Sequence, residues 1–223
     1  MADDSFIREV NEELRSDRVK AIWRRFGPLL IGGAVAVVLG TAATVGYQYW
    51  SESRASQSGD RFLAALDLAR QGKNDEALAA LSELEKDGYG AYPVLARMRA
   101  ATLTFQKGDA AGAVSAFDAV AADNSVDASI RDMARLRAAF ILIDTGSYDD
   151  VAKRVEPIST DGNPMRHSAR EALGLAAWKA GRTDDAMRLF QQIADDNGAP
   201  PDIRQRANMM LDLIRSSGAA AQG

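Results

Sequence analysis

Residues 94–124 read VLARMRAATLTFQKGDAAGAVSAFDAVAADN, and the way this stretch doubles back at Gly108 decides the fold. Before the glycine, Val94, Leu95, Met98, Ala101, Thr102 and Phe105 recur with a helical period. After it, Ala113, Phe117 and Val120 fall at i, i+4 and i+7, one stripe of a second helix. Two helices joined by so short a turn lie antiparallel, and the small side chain of Ala101 lets their backbones approach.

The same template recurs around Gly72, Gly146 and Gly181, the four glycines being 36, 38 and 35 residues apart. Seven residues before each stands a small residue: Ala65, Ala101, Ala139 or Gly174. Five, nine and twelve after come Ala77, Leu81 and Leu84; Ala113, Phe117 and Val120; Val151, Val155 and Ile158; Ala186, Phe190 and Ile193. Phe105, Ile143 and Trp178 share the position three before the glycine and read as core. Fifteen after stands an aspartate followed by Gly88, Asn124, Gly162 or Asn197. Glycine and asparagine favour the left-handed conformation that ends a helix, so the second helices should stop there.

Eleven residues before each glycine stands an arginine. In an antiparallel hairpin the start of the first helix lies beside the end of the second, which predicts a charge pair in every unit: Arg61 with Asp87, Arg97 with Asp123, Arg135 with Asp161, Arg170 with Asp196. Arg99 and Arg137, two residues further on, point elsewhere and are the candidate partner-facing residues. Pro93 and Pro164 open the helices that follow them. Asp202–Arg215, with Ile203, Met210, Leu213 and Ile214, has no second helix and reads as the C-terminal cap of the array.

Ahead of the repeats, FGPLLIGGAVAVVLGTAATVGYQY (26–49) contains no charge. At about 1.5 Å per residue it outspans a ~30 Å hydrocarbon layer. Arg24 and Arg25 mark its front edge, and Tyr47, Tyr49 and Trp50 its back edge. Six basic residues precede it, against Arg54, Arg61 and Arg70 in the twenty that follow, so the N-terminus should be cytoplasmic and the remainder exported. Gly32, Ala36 and Gly40 form a small-residue stripe along which another membrane helix could approach. A charged tail this long and an apolar stretch of this length suit an anchor better than a cleaved signal.

The expected organisation is therefore all-α: residues 1–25 a basic cytoplasmic tail, 26–50 a transmembrane helix, 51–59 a flexible serine-rich linker, 60–215 a four-unit helical repeat domain with its capping helix, and 216–223 a disordered tail. The tail carries as many acidic as basic residues, so the net charge of −4 belongs to the exported part, which argues against a nucleic-acid partner. There is no cysteine, which excludes disulfides and thiolate chemistry. His167 is the one histidine and reads as a turn residue after Pro164. The pairs Asp149/Asp150, Asp184/Asp185 and Asp195/Asp196 stand at helix ends and read as caps. No nucleophile, base and orienter assemble, and no cofactor, metal or small-molecule site is read from the chain.

A helix-turn-helix unit of this length, with small residues at its eighth and twentieth positions, resembles the tetratricopeptide pattern. Arginines stand where that pattern has early aromatics. Basic tail, a span ending in Tyr-Gln-Tyr-Trp and an exported four-unit array together resemble the YfgM-like family of ancillary Sec translocon subunits over nearly the whole chain. That resemblance implies a bacterial inner-membrane, single-pass, non-enzymatic protein with a periplasmic domain. It also implies association with the SecYEG channel and with a PpiD-type periplasmic chaperone to which translocated proteins are passed. The rival reading is an envelope scaffold for cell-wall or outer-membrane assembly.

Overall fold

The computed structural model describes residues 3–220, all in helices and short turns. The chain divides into two compact units, residues 1–56 and 57–223.

The described residues of the first unit lie in helix α1, Asp3–Arg70. Residues 31–50 are exposed throughout, and α1 contains a stretch long and apolar enough to cross a membrane. In that stretch the Thr41 and Thr44 hydroxyls donate back to the carbonyls of Val37 and Gly40, at 2.9 and 3.1 Å, which satisfies them without water. Both edges carry a cation over a ring: Arg25 lies 5.8 Å from the Phe26 centroid and Arg54 5.2 Å from that of Trp50. Gly32 and Gly40 have nothing packed against them.

The second unit is the repeat array. Residues 57–70 of α1 pair with α2 (Asn74–Asp87), α3 (Tyr92–Gln106) with α4 (Ala110–Ala122), α5 (Ala128–Thr145) with α6 (Tyr148–Val155), and α7 (Arg166–Lys179) with α8 (Thr183–Ala194); α9 (Pro201–Ala220) closes the stack. All twelve residues at the three template positions after the glycines are at most 2% exposed, as are Ala65, Ala101 and Ala139. Gly174 is buried too, and a Cβ there would stand 2.9 Å from the Phe190 ring. Small residues on first helices thus receive large ones from second helices, and burial of these apolar faces supplies the folding free energy.

Consecutive units are also clasped. Lys107 reaches back to Asp75, Arg154 forks onto both Asp118 oxygens at 2.9 and 2.6 Å, and Lys179 donates to the Ile143 and Asp144 carbonyls at 2.7 Å each. Arg206 of α9 forks onto the buried Glu171 of α7 at 2.5 and 2.9 Å.

Several expectations are corrected. Residues 51–59 are helical, not a flexible linker: they contain no proline, Ser58 is buried with its hydroxyl accepting from the Tyr89 N–H at 3.0 Å, and Gly59 passes close to Tyr92. The terminal helix continues to Ala220, so 216–220 are not disordered, and 221–223 lie outside the described residues. Its buried residues are Ile203, Ala207, Leu211 and Ile214, whereas Leu213 is half exposed. The second helices do not end in left-handed residues: Gly88 is extended, and among the described residues no non-glycine residue has positive φ. Positive φ falls instead at the turn glycines Gly72, Gly108 and Gly181, at 78°, 92° and 73°, and at Gly90 in the loop before α3, at 66°. Gly146 is the exception, with φ −115°; there Ser147 and Asp150 form a reciprocal capping box that starts α6. Phe105 is 44% exposed and is not core.

Candidate functional site

The candidate site is a cleft of about 400 Å³ between α3 and α5, with Met165, just before α7, also on its wall. On α3, Leu95, Met98, Arg99 and Thr102 are spaced i, i+3, i+4 and i+7, one helical face. On α5, Ser129, Met133 and Arg137 are spaced by four, with Ile130 beside them. Each helix turns its other face to the core, where Ala96 and Leu103 of α3, and Ala134 and Ala138 of α5, are fully buried. Asp127 caps α5 by accepting from the Ser129 N–H at 2.8 Å and so sets where this face begins.

The cleft is apolar with a cationic margin. Arg137 is exposed and extends from α5 to α3, donating to Thr102 Oγ1 at 3.3 Å. Arg99 forms no ion pair among the described residues, and its Nε is buried without a hydrogen-bond partner. By contrast, Arg61, Arg97, Arg135, Arg154, Arg166 and Arg170 all meet carboxylates. The sequence singled out Arg99 and Arg137 and missed the apolar residues between them. Met133 was legible as a partly exposed apolar residue outside the buried template, four residues before Arg137.

The arginine and aspartate rows are only half joined. Arg61 meets Asp87 at 2.9 Å and Arg97 meets Asp123 at 2.7 Å. The expected pairs Arg135–Asp161 and Arg170–Asp196 do not form. Arg135 instead meets Asp132 at 2.6 Å, and Arg170 reaches back to Asp161 and to the Ser159 carbonyl. Asp196 takes Arg166 at 3.2 Å and His167 Nε2 at 2.7 Å. His167 is therefore not a turn residue but a buried member of the first turn of α7.

Hydrogen bonding holds two of these aspartates well below the usual carboxylate range. Asp123 lies at about 2, owing first to the Ser125 hydroxyl, then to Arg97 and the Ser125 N–H. Asp196 also lies at about 2, owing first to His167, then to the Gly198 N–H and Arg166. Asp150 serves the α6 capping box, and Asp185 is gripped by Arg182 and Arg188. Among the described residues no three metal-capable side chains gather. Gly32, Ala36 and Gly40 lie in the exposed apolar part of α1.

The sequence matches the tetratricopeptide repeat-like domain over residues 20–216. It is similar to the ancillary SecYEG translocon subunit of Escherichia coli (strain K12), with 25% identity over 194 residues, covering 81% of this chain and 93% of that protein.

Proposed function

The chain belongs to the tetratricopeptide repeat-like domain family, and from that premise we propose that it is a membrane-anchored protein-interaction module that acts beside the Sec translocon and links translocated proteins to a PpiD-type chaperone. The observation that carries the reading is the likeness to the ancillary translocon subunit, which covers most of both chains. The exposed apolar stretch of α1 supports an anchor in the bacterial inner membrane. The excess of basic residues before it supports a cytoplasmic N-terminus and a periplasmic array. An anchor of this kind confines the array to the membrane surface and raises its effective concentration near emerging chains and a tethered chaperone.

Photo-crosslinking in membranes tests this, with probes at Ala36 and at Arg99 and Arg137. Crosslinks from Ala36 to translocon helices and from the array to a periplasmic chaperone are expected. Crosslinks solely to wall-synthesis or outer-membrane assembly proteins would transfer the function to an envelope scaffold. Because the chain has no cysteine, Ser217→Cys gives a single thiol, and its labelling by an impermeant maleimide in spheroplasts reads the orientation.

A further inference from the structure

We propose that the α3/α5 cleft binds polypeptide segments in which an aspartate or glutamate is flanked by bulky apolar residues, the carboxylate pairing with Arg99 and Arg137. The inference rests on the interaction-module reading and specifies what the module takes. Charge complementarity carries it. In a chain of net charge −4, whose arginines elsewhere in the array are mostly matched to carboxylates, two guanidiniums without a carboxylate flank one apolar cleft. Arg99 and Arg137 both line the cleft, and no carboxylate stands among its lining residues to compete for them. The hydroxyl that Arg137 touches is neutral, at 3.3 Å, and would be readily exchanged for a carboxylate, the stronger and shorter acceptor.

The apolar part of the motif follows from the floor. Leu95, Met98, Met133 and Met165 line it, with Leu95 and Met133 each more than a third exposed. Methionine is flexible and polarizable and moulds to differing side chains. The cleft should therefore be tolerant of which apolar residue enters and strict about the acidic one. Its volume of about 400 Å³ is open along the surface, as a groove that takes a peptide segment must be.

The test uses the full chain in nanodiscs and three fluorescent dodecapeptides with Gly-Ser flanks: Leu-Leu-Asp-Leu-Leu, Leu-Leu-Asn-Leu-Leu and Ser-Ser-Asp-Ser-Ser. By anisotropy the first should bind about tenfold or more tighter than the second, with an advantage that shrinks as salt rises, and the third should not bind. Arg99→Gln/Arg137→Gln should abolish the preference for Asp over Asn while leaving residual apolar binding. Met133→Glu should weaken the Asp peptide more than the Asn peptide. Equal binding of the Asp and Asn peptides to the native chain, no binding of either, or a preference that survives the double substitution would overturn the proposal. Failure here with Ala36 still crosslinking to the translocon leaves the proposed function standing. Discrimination without those crosslinks leaves the cleft standing and removes the translocon.

Discussion

The first two hairpins and the last two carry the same arginine and aspartate positions and use them differently. In the first pair the arginine closes onto the aspartate of its own hairpin. In the third, Pro157 intervenes: with no N–H to donate, it ends α6 after eight residues and turns the chain through a 3₁₀ segment, Glu156–Ile158. Asp161 then falls in the following loop, within reach of Arg170 of the next hairpin. Asn163, in the same loop, bonds Asp132 at 2.8 Å, where Arg135 has also turned. In the fourth, α7 opens at Arg166, so Arg166 and His167 take Asp196 and Arg170 is left to its neighbour. The buried template positions, by contrast, are occupied alike in all four. Core packing follows repeat position because every hairpin must bury the same face, whereas surface pairs follow the local path of the helix ends.

The largest break in this comparison should come from the shared core. Phe190→Ala, at a position with no exposure, is expected to cost about 3–5 kcal/mol in chemical denaturation. Gly174→Ala forces a methyl against the same ring and should cost about 1–3 kcal/mol by overpacking. Next is Arg206→Ala, which strands the buried Glu171 carboxylate. A loss of about 2 kcal/mol is expected, less than for a fully buried pair because Arg206 is half exposed.

Acid titration separates the second hairpin from the fourth. Asp123 and Asp196 have folded values near 2, depressed below the ordinary carboxylate value. Their contribution is present above about pH 4 and is lost as pH falls toward 2. Asp123→Asn and Asp196→Asn should each flatten the fall of melting temperature over that window, by way of Ser125 and then Arg97 in one hairpin and of His167 in the other. The smallest effect belongs to Arg61→Ala: its pair with Asp87 is exposed on both sides, and its removal should cost less than about 1 kcal/mol.

Hairpin order, turn positions and nearly the whole core were legible in the sequence, because glycine spacing and a 3.6-residue apolar period are local signals. The helicity of 51–59 was not, since it depends on Ser58 meeting Tyr89 and Gly59 admitting Tyr92, contacts some thirty residues apart. Pro157 was visible, but its effect on Asp161 required knowing where the loop would lead. In the cleft, Arg99 and Arg137 stood out by being out of phase with the arginine row. Met165 could not, because only the fold brings it to α3 and α5.

The clasps between consecutive units join residues 32 to 36 apart: Asp75 to Lys107, Asp118 to Arg154, Ile143 and Asp144 to Lys179, Glu171 to Arg206. That separation is close to one repeat, so each unit brings one half of the junction behind it and one half of the junction ahead. Each clasp, however, uses its own pair of positions, three after and one before the glycine for Asp75 and Lys107 but ten and eight after it for Asp118 and Arg154, so a duplicated unit would keep the clasps to its old neighbours while the junction between its two copies would lack one. Lengthening by one unit therefore leaves the buried template intact and asks for one new clasp, at the junction between the copies.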